Sequence, residues 1–312
     1  MITHAADAAL ALSLPGSEGL AARLAGELGS GRRLVETRHF PDGEWYVRIG
    51  GEVRDNPVVI AATLDRPDEK LLPLLLLART AYEMGAAEVG LVAPYLPYLR
   101  QDRRFRPGEA LSAMHFARLL SELVDWVVAV EPHLHRVHSL SDLYDVPACA
   151  VPVATYVADW IRGHVERPFI IGPDEESHQW VAPVARAVGA PFGVARKCRV
   201  GDVHVDVALP DLSELQGHTP VVLDDIISTG RTLEQIVGKL VHGGFAAPEC
   251  IAVHGIFAGD AYARILGAGA AAITTCNTIA HPTNAIDVTA PIGGAVRSML
   301  ERTAEGWKED SP

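Results

Sequence analysis

Positive charge is scarce in this chain. Its 27 Lys and Arg residues stand against 39 Asp and Glu, a formal net charge of -12. That shortage excludes the broad basic surface of non-specific nucleic-acid binding, so no nucleic-acid partner is expected. A phosphate ligand must be held by local cations and metal rather than by a global field. Cysteine is equally sparse: Cys149, Cys198, Cys250 and Cys276 are scattered without a CxxC pair, which fits reduced thiols in a cytoplasmic protein. No cationic segment followed by an apolar core opens the chain, so no signal peptide is expected. The most apolar run, Leu71 to Ala78, is too short to span a bilayer; it reads as a buried helix, and no membrane partner is expected. No Walker A sequence is present. Gly267 to Ala272 loosely matches a dinucleotide fingerprint, but it follows a helix and precedes a strand, the reverse of the required context, and reads as a helix stop.

What is present is an alternation of strands and helices. With 312 residues, 48% of them hydrophobic, the chain can build two cores. Pro57–Thr63, a helical run from Leu71 and Ala87–Tyr95 repeat the plan of Pro220–Ile226, a helical run from Thr232 and Pro248–Phe257. Each is strand, turn, helix, glycine stop, strand: one βαβ unit occurring twice. The expected fold is α/β, with two similar domains, each a mainly parallel sheet flanked by helices. The expected boundaries are an N-terminal domain over 1–150, a C-terminal domain over 151–304 and a polar tail over 305–312.

The most informative stretch is Val221 to Val237. An aliphatic strand leads to Asp224 and Asp225 at its carboxyl end, where open α/β sheets place ligands. Ser228, Thr229, Gly230, Arg231 and Thr232 then open a helix. Backbone N–H groups there, with the helix dipole behind them, suit a phosphate dianion, and the paired carboxylates suit neighbouring sugar hydroxyls. The whole is shaped for a ribose 5-phosphate group. It resembles the phosphoribosyl-pyrophosphate (PRPP) loop shared by type I phosphoribosyltransferases and PRPP synthetases.

Further segments distinguish those two families. Pro94 to Phe105 packs Arg100, Gln101, Asp102, Arg103 and Arg104 into one loop; a guanidinium can stack on a purine and grip phosphate in two prongs. With the later Leu111–Leu120 helix it resembles the ATP-binding signature of PRPP synthetases. Phe40 to Ile49 reads as a Pro-Asp-Gly hairpin entering a strand. In PRPP synthetases the matching segment crosses to a neighbouring subunit. The resemblance implies that Phe40 stacks on adenine, that Asp42 and Glu44 accept hydrogen bonds around it, and that the active unit is at least a dimer. Arg196 to Leu209 reads as a hairpin turning at Gly201-Asp202, with Lys197 and Arg199 two apart and so on one face. It resembles the flexible catalytic loop of the family, which makes both residues catalytic candidates. By the same resemblance His133 lies near ATP and Mg²⁺, and Asp174 belongs to the ribose-phosphate and metal region.

Two departures stand out. Glu175 and Glu176 follow Asp174 where many members have glycines, and Ser228 stands where the most familiar synthetases carry an acid. The resemblance implies a ribose-phosphate diphosphokinase converting ATP and ribose 5-phosphate into PRPP and AMP, with Mg²⁺ as cofactor. A PRPP-consuming phosphoribosyltransferase and an inactive regulatory subunit are the alternatives; neither requires the full set of arginine loop, hairpin and cationic arm.

Overall fold

The computed structural model describes residues 9–200 and 204–304. Two compact units share the chain: one comprises Met1–Val151 with Thr289–Pro312, the other Pro152–Val288.

The first unit contains strands β1 (Leu10–Ser13), β2 (Gly31–Arg32), β3 (Val35–His39), β4 (Trp45–Ile49), β5 (Pro57–Ala61), β6 (Glu88–Val92), β7 (Trp126–Val130) and β8 (Ala148–Val151). Its first three helices are α1 (Glu18–Leu28), α2 (Pro67–Glu83) and α3 (Ser112–Ser121). Six strands form a sheet in the order β2-β1-β5-β6-β7-β8, every pairing parallel. Strands β6 and β7 are buried along their whole length, as expected of strands covered on both faces. Leu12, Ile60, Leu74, Leu91 and Val127 anchor the core between sheet and helices. The apolar run from Leu71 lies in α2 and is mostly covered, although Leu72 is exposed.

One contact in this sheet is unusually close. Gly90 on β6 pairs with Trp126 on β7, and a Cβ on Gly90 would lie 2.0 Å from the buried indole. Gly90→Ala is therefore expected to force the ring aside and lower stability by about 1–3 kcal/mol, an overpacking cost. Urea unfolding with an unchanged m-value checks this; an unaltered midpoint would contradict it.

The second unit repeats the plan. It contains α4 (Ala154–His164), β9 (Pro168–Gly172), α5 (His178–Val188), β10 (Phe192–Val194), β11 (Arg196–Val200), β12 (His204–Ala208), β13 (Thr219–Ile227), α6 (Arg231–His242), β14 (Glu249–Gly255), α7 (Ala261–Gly267), β15 (Ala272–Cys276) and β16 (Asn284–Ile286). Its sheet runs β10-β9-β13-β14-β15-β16, again all parallel. Strand for strand, this is the order of the first sheet. In each unit an antiparallel ribbon (β3–β4, then β11–β12) interrupts the chain at the same topological point. Phe169, Ile171, Val222, Leu233, Ile236 and Cys250 build the second core.

The domain expectation needs one correction. Helix α8 (Thr289–Ala304) follows β16 but belongs to the first unit, packing on α1, β7 and β8. Arg297 Nη2 bonds Glu27 Oε1 at 3.0 Å and Arg23 Nε donates to Thr289 Oγ1 at 3.3 Å. Its counterpart α4, which follows β8, packs on α5 and β16 of the second unit. The helix after each repeat's last strand thus completes the other repeat. Residues 305–312, expected as a polar tail, lie outside the described residues, as does the Gly201-Asp202 turn. Among the described residues, no helix is long and apolar enough to cross a membrane.

Candidate active site

In the second unit β13 runs through the acid pair rather than stopping before it. Ile226 and Ile227 remain in register with His254 and Gly255 of β14, so Asp224 and Asp225 sit within the strand and the loop begins at Ser228. Three carbonyl contacts then fix the loop. Ile227 O accepts from Ile256 N and Phe257 N, both at 3.0 Å, and Ser228 O accepts from Ala258 N at 3.0 Å. Gly230 has φ +68 and begins α6; a Cβ there would lie 2.8 Å from Ile265 Cδ1. The first intrahelical bond is Glu234 N to Gly230 O at 2.9 Å, so the amides of Arg231, Thr232 and Leu233 precede the helical ladder. Those donors and the helix dipole suit an anion. Glu234, an acid in this turn, is paired with Arg264 at 3.3 Å.

The equivalent start in the first unit has the opposite chemistry. Helix α2 opens with Pro67, Asp68 and Glu69: one missing amide and two negative charges. Of this matched pair among the described residues, α6 has the helix start suited to phosphate and α2 does not.

Asp225 is buried, and its N–H donates to Asp224 Oδ1 at 3.0 Å. Burial, then the charge of Asp225 and that of Asp174, pushes the Asp224 carboxyl well above the ordinary carboxylate range. Asp174 therefore belongs to the same cluster. It caps the turn after β9 by accepting from Ser177 N at 3.2 Å. Glu175 beside it reaches Arg196, the first residue of β11, at 3.5 Å, so the departing acid connects the Asp174 turn to the base of the cationic hairpin. On β11, Lys197 pairs in register with Val207 and Arg199 with Val205. The side chains of Lys197 and Arg199 lie outside the described residues.

A raised carboxyl pKa lowers stability once the group ionises. Native stability should fall as pH rises from the usual carboxylate range through the pKa of Asp224. Asp224→Asn keeps the acceptor for Asp225 N and removes the charge. We expect it to raise the Tm of ligand-free protein near pH 7 by ~2–4 °C, about 1 kcal/mol, with the gap widening from acid to neutral pH. Scanning fluorimetry across pH checks this; a lower Tm would contradict it.

In the first unit the arginine loop fills the connection from β6 to α3. Arg100 is exposed, whereas Gln101 is half-buried and donates from Nε2 to Arg103 O at 3.1 Å. Asp102 turns inward with its side chain 4% exposed, accepting from Arg136 Nη1 at 2.8 Å and Arg136 N at 3.3 Å. That pairing brings the arginine loop together with the loop after β7 that carries His133. Tyr98 does not stand over the loop: its ring packs on Phe116 at 4.9 Å and its hydroxyl bonds Asp68.

Phe40, Asp42 and Glu44 occupy the tip between β3 and β4, as the hairpin pattern predicts. Phe40 N donates to Glu44 O at 2.8 Å, and Asp42 Oδ1 accepts from Glu44 N at 3.3 Å. Phe40 is 40% exposed, with the Arg38 guanidinium 4.6 Å from its ring centre. Among the described residues no hydrogen bond or ion pair joins this tip to Arg100 or Gln101. The expected ATP residues therefore form two groups within the first unit.

Two supporting residues escape sequence reasoning. Arg264, on α7, donates to the carbonyl of Thr229 and buttresses the phosphate loop. Glu109 gathers the arginine loop from within. Each is one charged residue among many, and no local pattern marks either.

Two parallel-sheet repeats, one with a helix start suited to phosphate, define the class of type I phosphoribosyltransferase-like proteins. The N-terminal domain model of ribose phosphate pyrophosphokinase matches residues 10–123, and the phosphoribosyl transferase domain model matches residues 139–274. Curated relatives named ribose-phosphate pyrophosphokinase include one from Methanopyrus kandleri, 33% identical across 91% of this chain and 97% of its own length. Another, from Saccharolobus solfataricus, is 35% identical across 78% of this chain and 84% of its own. The chain belongs to the ribose-phosphate pyrophosphokinase family. Its fold is also that of a phosphoribosylpyrophosphate synthetase crystal structure from Mycobacterium smegmatis, with TM-score 0.81 over 96% of this chain and 99% of that one, at 23% identity.

Proposed function

We propose that the protein transfers the diphosphoryl group of ATP to the 1-hydroxyl of ribose 5-phosphate, giving PRPP and AMP. The observation that carries this reading is the asymmetry between the repeats. One has a helix start suited to a sugar phosphate, and the other has an arginine loop held against the His133 loop. A PRPP-consuming transferase requires only the first of these.

In this reading the amides of Arg231, Thr232 and Leu233, with the Ser228 and Thr229 hydroxyls, bind the 5-phosphate, and Asp224 and Asp225 take the ribose hydroxyls. Arg100 and Gln101 bind the nucleotide, while Phe40, Asp42 and Glu44 complete an adenine pocket in a neighbouring subunit. The anomeric oxygen attacks the β-phosphorus and gives up its proton to solvent; the bond from the β-phosphorus to the α,β-bridging oxygen breaks, and AMP leaves with that oxygen. Such a transfer requires alignment and charge neutralisation more than covalent help. Lys197 and Arg199 stabilise the negative charge that grows on the transferring group.

His133 and Asp174 are the residues proposed for Mg²⁺. The charge gathered at Asp174, Asp224 and Asp225 suits a hard divalent cation, which takes one or two protein ligands alongside phosphate and water oxygens. Bound Mg²⁺ supplies charge neutralisation on the polyphosphate.

Phosphorus NMR of protein with ATP, Mg²⁺ and ribose 5-phosphate tests the reaction. AMP and PRPP should rise together. ADP with a ribose bisphosphate would contradict the reading, and base-dependent release of pyrophosphate from PRPP without ATP would favour the transferase.

A further inference from the structure

The connection from β6 to α3 runs from Ala93 to Leu111, whereas its counterpart from β14 to α7 needs only Ile256 to Asp260. The longer loop carries Arg100, Arg103, Arg104 and Arg106. Four cations so close repel one another and favour an open loop. Glu109 opposes this from inside. Its Oε2 accepts from Phe105 N at 2.7 Å, Arg106 N at 3.0 Å and Gln101 Nε2 at 3.4 Å. Its carbonyl accepts from Arg104 Nε at 2.9 Å, and its own N–H donates to Arg106 O at 3.3 Å. Two turns of loop backbone and the Gln101 side chain thus converge on one residue.

This network also decides which end of the Gln101 amide faces outward. Nε2 donates to the Glu109 carboxylate and to Arg103 O. Both partners are pure acceptors, so a flipped amide would set oxygen against oxygen twice. Among the described residues no donor bonds the Gln101 carbonyl oxygen, which leaves it as the acceptor for a ligand. ATP phosphates have no donors to offer it; the donors of ATP are the exocyclic amino group and the ribose hydroxyls.

We infer that Glu109 is a positioning residue for the nucleotide. It closes the arginine loop and locks Gln101 so that its carbonyl reads a hydrogen-bond donor on the adenosine part of ATP. This inference rests on the proposed reaction and names a residue outside the expected site.

Steady-state kinetics on the full-length protein test it, with Glu109→Ala, Gln101→Ala and the double variant. Glu109→Ala is expected to raise KM for ATP by about 10-fold or more, with kcat and KM for ribose 5-phosphate within ~3-fold of wild type. Because Glu109 acts through Gln101, the double variant should be no more than ~3-fold worse than the poorer single one. Glu109→Gln keeps an acceptor for the Phe105 and Arg106 amides. It should recover most of the loss and covers the case in which the alanine variant misfolds. KM within 2-fold of wild type in both Glu109 variants would overturn the inference, as would single effects that multiply in the double variant. Wild-type protein that neither binds Mg-ATP nor forms AMP would instead remove the proposed reaction, and this inference with it.

Discussion

Lys197→Ala is expected to lower turnover by about 10²–10³-fold while ATP still binds. The estimate follows from lost transition-state charge stabilisation, where removal of a single donor to a developing anion costs about 2.7–4 kcal/mol. Lys197 lies on β11, next to Arg196, whose guanidinium pairs with Glu175 beside Asp174. The hairpin base is therefore tied to the turn that carries a proposed metal residue. A cation that engages only the transferring group should lower kcat and leave ATP affinity almost unchanged. Single-turnover rates and equilibrium ATP binding separate the two quantities. A variant with near-normal turnover would remove the hairpin from the mechanism, and one with intact chemistry but lost ATP affinity would make Lys197 a ground-state contact.

Gly230→Val should weaken recognition of the sugar phosphate by about two orders of magnitude or more. Two independent obstacles act at this position. The residue has φ +68, which disfavours a β-branched side chain by about 1–2 kcal/mol. The space where a Cβ would go lies 2.8 Å from Ile265 Cδ1 and 3.2 Å from Ala261 Cβ, both on α7. Relief requires moving the start of α6 away from α7, which takes the Arg231–Leu233 amides with it. Affinity for ribose 5-phosphate should fall by at least ~10²-fold, about 2.7 kcal/mol. ATP binding, assigned to the first unit, should stay within ~2-fold. Calorimetry with each ligand separately checks this; equal loss of both would mean global damage rather than a broken phosphate loop.

Much of this architecture is legible along the chain because its signals are local. Apolar runs bounded by turn residues mark the buried strands, and the Asp224–Thr232 segment carries its chemistry in consecutive residues. The β3–β4 hairpin announces itself by its Asp42-Gly43 turn between extended runs. What is not legible depends on distant partners. Strand β13 extends past its acids because β14 offers His254 and Gly255 as parallel partners. Helix α8 has an apolar face, but nothing in that pattern says it will meet α1, more than 250 positions away in Arg297–Glu27. A motif marks Gln101 and none marks Glu109, although Gln101 Nε2 donates to Glu109 Oε2 at 3.4 Å. Likewise Arg264 looks like an ordinary i, i+4 partner of Asp260, at 2.9 Å, until the fold brings the Thr229 carbonyl against it.

In the proposed reading one chain needs both halves. The start of α2 in the first repeat is unsuited to phosphate, because Pro67 lacks an amide donor and Asp68 and Glu69 repel an anion, and this repeat carries a loop of clustered arginines. The second keeps the helix start and adds buried acids. In that reading the second half takes the sugar phosphate and the first takes the nucleotide triphosphate.

The most direct measurement follows one phosphorus atom. ATP labelled only in its β-phosphate is supplied with Mg²⁺ and ribose 5-phosphate, and the products are separated. Attack at the β-phosphorus predicts that all transferred label appears in the sugar product, with AMP unlabelled. Label retained in ADP would mean that the bond to the γ-phosphate breaks instead, and the account of diphosphoryl transfer would be wrong.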